Sequence, residues 1–168
     1  PRVPLATSVR ALAALQAEGR VEGIGLCNVS LGQLQQARDL AEVASVQVEL
    51  SPWRDEAVRG GLLEFCAANV IVLLAYRPLG GADRRTRLDD DPALRAVAAR
   101  HGTTPAIVAL AWLRGLSPVL VPLPGPTRAE TAGSLARVRG LRLSEADLAE
   151  LDARFTAGRL ARTPRAAR

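Results

Sequence analysis

No lysine and no methionine occur anywhere in these 168 residues, and the chain holds one histidine, one tyrosine and two cysteines. The missing lysine removes every Schiff-base or lysine-assisted mechanism from the chain's own chemistry. The missing methionine means that Pro1 is not an initiator, and the expectation is a processed chain or a piece of a longer one. With His101 alone, and no C-x-x-C around Cys27 or Cys66, no metal site is expected. Both cysteines are expected to be free, buried thiols in a reducing cytoplasm. No run approaches the roughly 18 consecutive apolar residues of a membrane span, and PRVPLATSVR lacks the apolar core of a secretory signal.

A net charge of +5 raises the question of nucleic acid until the charge is located. The excess is carried by the end of the chain, where Arg154, Arg159, Arg162, Arg165 and Arg168 face no acidic residue. A basic tail over residues 156–168, poor in apolar side chains, is therefore expected to be disordered. Such a tail touches phosphates without sequence preference; the plainer reading is a solvated end or a linker, with no specific nucleic acid and no membrane as partner.

What is present, at 48% apolar and 23% charged, fits a globular domain. TSVRALAALQAE predicts a helix from a Thr7 cap to a Gly19 stop. VEGIGLCN and SVQVEL read as strands, with a Ser30-capped helix, LGQLQQARDLAEV, between them. AVRGGLLEFCAAN reads as a helix weakened by Gly60 and Gly61. VIVLLAY, Val70 to Tyr76, reads as a strand buried on both faces. After a glycine turn and a charged loop, ADRRTRLDDD, two helices with early prolines at Pro92 and Pro105 precede a strand at Val119–Val121. TRAETAGSLARV and a Ser144-capped SEADLAELDARF then read as helices.

Strands separated by helical patterns predict parallel βαβ units. Each strand ends where polar residues gather: Asn28, Glu49 to Ser51, Tyr76, and Pro122 to Gly125. That edge is where parallel α/β sheets and barrels carry their sites. The pattern fits an open doubly wound sheet and part of a barrel equally. A G-x-G-x-x-G fingerprint after the first strand is absent, which counts modestly against a classical dinucleotide fold.

EGRVEGIGLCNVS, VQVELSPW, LLAYRPLGG, TPAIVALAWL and VPLPGPTRAET, in this order and spacing, resemble the second half of the aldo-keto reductases. The resemblance runs from Leu5 to Phe155 and marks residues 1–155 as the C-terminal half of such a domain. It implies a partial (β/α)8 barrel, strands five to eight, from enzymes that reduce aldehydes and ketones with NADPH, NADH not being excluded. The family's catalytic Asp, Tyr, Lys and His belong to the other half, and no residue here replaces them. His101 is expected to end a helix at the surface.

The resemblance also implies a cofactor site along the strand ends. Tyr76 matches a tyrosine that stacks on the nicotinamide, and stacking fixes which face of the ring is presented. Asn28 and Gln47 match residues that hold the carboxamide, for which an amide offers both donor and acceptor. Pro78, Leu79, Gly80 and Gly81 would carry backbone past the pyrophosphate. Gly125 opens the turn before a helix N-terminus, and Arg128 is the candidate for the 2′-phosphate. Arg77 stands where a small serine is frequent and would meet phosphate or substrate. Cys27 replaces a frequent serine, and Gly133 with Ser134 occupies the place of the usual Glu-Asn pair. Without the resemblance, Tyr76 reads equally as a rim residue, Asn28 and Gln47 as turn caps, and Arg128 as surface charge. Trp53 reads equally as pocket lining or packing.

Four strands leave two sheet edges and an inner face open. The alternatives are a piece of a complete reductase acting on a small carbonyl, a half barrel closed by a second copy, and a non-catalytic binding or assembly module.

Overall fold

A computed structural model describes residues 3–81 and 85–162. Four parallel strands, β1 (Gly25–Cys27), β2 (Ser45–Glu49), β3 (Val72–Tyr76) and β4 (Leu120–Leu123), pair in the order β1-β2-β3-β4. This order separates the two folds that the pattern alone left open. A doubly wound sheet reverses its order at a switch point, whereas successive right-handed crossovers without reversal keep every helix on one face. Burial follows that rule. Leu26, Val46, Val48, Leu73, Ala75 and Leu120 are buried beneath the helices, while Gly25, Cys27, Val72, Val121 and Leu123 on the alternate positions are exposed.

Two expectations are corrected by this one-sided burial. The run VIVLLAY is not buried on both faces: Val72 is 38% exposed, and Val70, outside the strand with φ 56°, is 83% exposed. Cys27 is an exposed thiol on the open face, and only Cys66 is buried. Burial pushes the Cys66 thiol up to about 11, with Arg38 pulling weakly the other way, so it stays protonated and unreactive.

Local chemistry sets the helix ends. Helix α1 (Leu5–Ala17) starts after Pro4, not at Thr7, and buries only Val9 fully. Helix α2 (Leu31–Arg38) opens with a capping box: Ser30 Oγ accepts from the Gln33 amide at 3.3 Å, and Gln33 Oε1 accepts from the Ser30 amide at 2.9 Å. The expected single helix across Gly60 and Gly61 is two, α3 (Glu56–Arg59) and α4 (Leu62–Ala68). Gly61 at φ 77° takes a left-handed turn that a side chain resists. The charged loop after β3 contains α5 (Arg85–Asp90). Helices α6 (Pro92–Arg100) and α7 (Pro105–Arg114) carry Asp91 and Thr104 as caps and proline in the first turn. Beyond β4, α8 (Ala129–Leu135) tightens into a 3₁₀ turn at Ala136–Arg139. Helix α9 (Glu145–Arg154) follows.

Three aspartates lock the helical layer. Asp91, at the start of α6, accepts from Arg154 Nε at 3.0 Å at the end of α9. Asp147, at the start of α9, accepts from Arg100 Nη2 and bonds His101 Nε2, each at 2.8 Å, at the end of α6. The two helices are thus pinned at both ends. Asp152 accepts from Trp112 Nε1 at 2.8 Å, tying α9 to α7, which is buried from Ile107 to Leu113.

Asp152 also corrects the expected disordered tail. Residues 156–162 form helix α10 (Thr156–Arg162), and Arg162 reaches back to Asp152 Oδ2 at 2.7 Å and to the Gly115 carbonyl at 3.1 Å. Residues 163–168 lie outside the described residues. Gly158 permits the return, because a Cβ there would run into the Asp152 carboxylate and the Trp112 ring. Gly158→Ala should therefore cost about 1–3 kcal/mol by overpacking, measured by urea unfolding. A fully stable variant would show that α10 is not docked.

Burial works against the Asp147 carboxylate, but hydrogen bonds from His101, Ser144 and Arg100 outweigh it and hold the group well below the usual carboxylate range. A depressed folded pKa gives stability that is present above the unfolded value of about 3.9 and is lost as pH falls below it. Unfolding free energy should thus fall below about pH 4. Asp147→Asn should remove about 2 kcal/mol at neutral pH and flatten that acid limb.

Candidate functional site

Because all four strands are parallel, their C-terminal ends form one rim. The register sets side chains on the open face in rows: Cys27, Gln47, Leu74 and Val121 in one, and Glu49, Tyr76 and Leu123 in the next row toward the rim. The sequence-predicted residues Gln47 and Tyr76 therefore sit on neighbouring strands of the same face, one row apart. Asn28 follows β1, where its amide donates to the Gln47 carbonyl at 2.8 Å and its φ is 54°. Asparagine tolerates this left-handed turn better than most residues.

Neither the Asn28 nor the Gln47 side chain makes a hydrogen bond among the described residues, so the turn-cap alternative is not realised. Among the described residues both amides, and the Tyr76 ring and hydroxyl, are unengaged. The turn after Tyr76 is built by three departures from ordinary backbone within five residues. Arg77 has φ 48°, Gly80 φ 86° and Gly81 φ 82°, and the Gly80 amide donates to the Arg77 carbonyl at 2.8 Å. The Arg77 side chain folds over this turn, 3.1 Å (Nε) from where a Gly81 Cβ would stand. Pro78 and Leu79 span the turn between them.

Two of the arginines that no carboxylate neutralises among the described residues lie beyond strand ends. Arg54, Arg59, Arg100, Arg154 and Arg162 each pair with a carboxylate. Arg77 and Arg128, at the ends of β3 and of the turn after β4, have no acidic partner among the described residues. Arg128 is the N-cap of α8, is exposed, and makes no side-chain cap bond. Since α8 is only seven residues long, attraction for an anion there comes from the guanidinium more than from the helix. Gly125 is exposed in an open turn.

Trp53 is pulled into packing rather than left on the rim: its ring meets Phe155 edge-on at 5.8 Å, and the Arg87 guanidinium lies 5.0 Å from its centroid. His101 ends α6 on the helical side, away from the rim. Among the described residues no cluster of three His, Cys, Asp or Glu could hold a metal, and no helix is long and apolar enough to cross a membrane. An apolar groove of about 220 Å³ lies elsewhere, at the free edge of β4 between Leu110, Leu135 and Val138. One rim-row residue escaped the sequence reading as a site candidate. Glu49 shares the open face with Gln47, and the alternation in SVQVEL, with Val46 and Val48 buried, carries that signal.

Residues 1–154 match the family model described as Aldo/keto reductase family. Pyridoxine 4-dehydrogenase of Escherichia coli (strain K12) is 36% identical over 147 residues, covering 86% of this chain and 49% of that protein. Aldo-keto reductase family 1 member A1 of Rattus norvegicus is 37% identical over 111 residues, 61% of this chain and 33% of that protein. Among solved structures, the thermostable aldo-keto reductase Tm1743, in complex with the inhibitor epalrestat, superposes with a TM-score of 0.80 at 29% identity, covering 92% of this chain and 56% of that one. Aldose reductase from Giardia lamblia gives a TM-score of 0.78 at 28% identity, covering 89% and 50%. The chain thus spans about half the length of these structures, and a third to a half of the curated relatives.

Asn28→Ala should be about 1 kcal/mol less stable than Asn28→Gly, because only glycine adopts the left-handed turn without steric cost. Thermal unfolding of the two variants reads the difference. Equal stability would mean that the turn relaxes.

Proposed function

The chain belongs to the aldo/keto reductase family, and from that premise we propose that it is the dinucleotide-holding half of an NADP(H)-dependent reductase of aldehydes and ketones. In this reading β1 to β4 are the fifth to eighth strands of an eight-stranded barrel. The observation that carries the proposal is the rim: at the strand ends stand two amides with no hydrogen-bond partner and one aromatic ring, followed by two guanidiniums with no acidic partner among the described residues. Those are the complements of a carboxamide, a flat ring and phosphates.

Each residue then has a part. Asn28 and Gln47 hold the carboxamide, donating to its oxygen and accepting from its nitrogen. The Tyr76 ring covers one face of the nicotinamide and leaves the other toward the lumen. The turn from Pro78 through Leu79 to Gly80 and Gly81 lets backbone approach the pyrophosphate, with Arg77 folded above it. Gly125 leaves room at the next strand end, and Arg128 takes the 2′-phosphate. The cofactor supplies the hydride. The chain's own contribution is orientation and charge, since it has no lysine and its one tyrosine is committed to stacking. Proton donation to the carbonyl belongs to residues outside this chain, so turnover by these 168 residues alone is not expected.

The direct test is titration of NADPH into the folded chain, followed by cofactor fluorescence. Saturable binding is expected, weakened about tenfold by Arg128→Ala, while Tyr76→Ala should abolish quenching of the nicotinamide. No binding by a folded chain would end the reading.

A second reading, a non-catalytic module that pairs with its own copy, draws on the open face, where Val72, Val121 and Leu123 are 38%, 43% and 38% exposed. It requires a solution mass near twice 17.8 kDa. A monomer at sedimentation equilibrium removes it.

A further inference from the structure

We propose that Glu49 sets which redox form of the nicotinamide the site prefers, favouring the oxidised cation over the neutral reduced ring. The inference deepens the cofactor reading and rests on it. Glu49 ends β2 on the open face, two residues beyond Gln47 and directly paired in register with Tyr76. A ring held by Gln47 and stacked on Tyr76 therefore has the Glu49 carboxylate as its neighbour.

That carboxylate is poorly neutralised. Its side chain is 20% exposed, and among the described residues its one partner is Arg54, with Nη2 3.5 Å from Oε2. Arg54 is 48% exposed and divides its charge with Glu56, 3.8 Å from its Nη1. The geometry is built, not incidental: Ser51 and Arg54 exchange backbone hydrogen bonds at 3.0 and 3.1 Å, folding the chain back so that Arg54 returns toward Glu49. Arg77, the residue after Tyr76, is turned over Gly81. Among the described residues, the Tyr76 row carries a single charged side chain, Glu49, beside Tyr76 and Leu123.

The nicotinamide carries a positive charge when oxidised and none when reduced. A half-buried anion at neighbouring distance attracts the first and is nearly indifferent to the second. With its side chain only 20% exposed, Glu49 acts through less intervening water than a fully exposed carboxylate would.

The test compares NADP⁺ and NADPH affinities of the chain by calorimetry, with circular dichroism to confirm folding. Glu49→Gln should weaken NADP⁺ by about three- to tenfold and leave NADPH essentially unchanged. Arg54→Gln should act in the opposite sense, tightening NADP⁺ because the carboxylate loses its partial counter-ion. Equal changes for both forms, or no change in either variant, would overturn the proposal and leave Glu49 as an ordinary ion-pair partner. A wild-type chain that binds neither form would overturn the cofactor reading and this inference with it, which separates the two failures.

Discussion

A parallel sheet covered on one face only is the constraint from which the rest of this structure follows. Strands in a crossover architecture keep their helices on one side when the order never reverses, and here it never does. The helical side then holds the whole core, from Val9 through Trp112 to Phe155. The other side is left to residues that are polar, small or half-exposed. The same geometry sends all four strand ends to one rim, so Asn28, Gln47 and Tyr76, far apart in sequence, end adjacent strands on one side of the sheet.

The helical layer is held by carboxylates more than by helix propensity. Asp91, Asp147 and Asp152 each cap or sit in one helix while bonding a cation or an indole on another. Buried charges are costly unless every lone pair finds a donor, and Asp147 meets that condition with Arg100, His101 and Ser144. The one histidine is spent here, in architecture. Placing the titratable groups on the helical side leaves the rim with a simpler electrostatic character, set by Arg77, Arg128 and Glu49.

The succession of strands and helices was legible because βαβ spacing, capping residues and early prolines are local, while the order of the strands in the sheet came only with the structure. Ser30, Thr104 and Ser144 cap the helices that their positions foretold. Three features were not legible, each for a physical reason. VIVLLAY has apolar residues on both faces, so its alternation is silent, and only the sheet shows that Val72 faces outward. The basic tail looked unable to repay its ordering entropy, because its partners, Asp152 and the Gly115 carbonyl, are remote in sequence or hidden in a helix end. The break at Gly60 and Gly61 was visible as weakness but not as a left-handed turn. At the site, Asn28, Gln47 and Tyr76 were placed by family motifs. Their shared face is a matter of register, which no motif states.

One consequence concerns how such a sheet can be closed into a ring. A helix precedes β1 and another follows β4: α1 packs beside α2 at one margin, and α8 with its 3₁₀ turn lies along α7 at the other. Each margin already owns its outer covering. Two copies joined edge to edge would bring a pair of helices to each seam, where a (β/α)8 barrel has room for one, and both seams would have to shed a helix. A body that starts and finishes on bare strands meets no such crowding. Edge-to-edge pairing of two such chains therefore carries one helix too many at each seam.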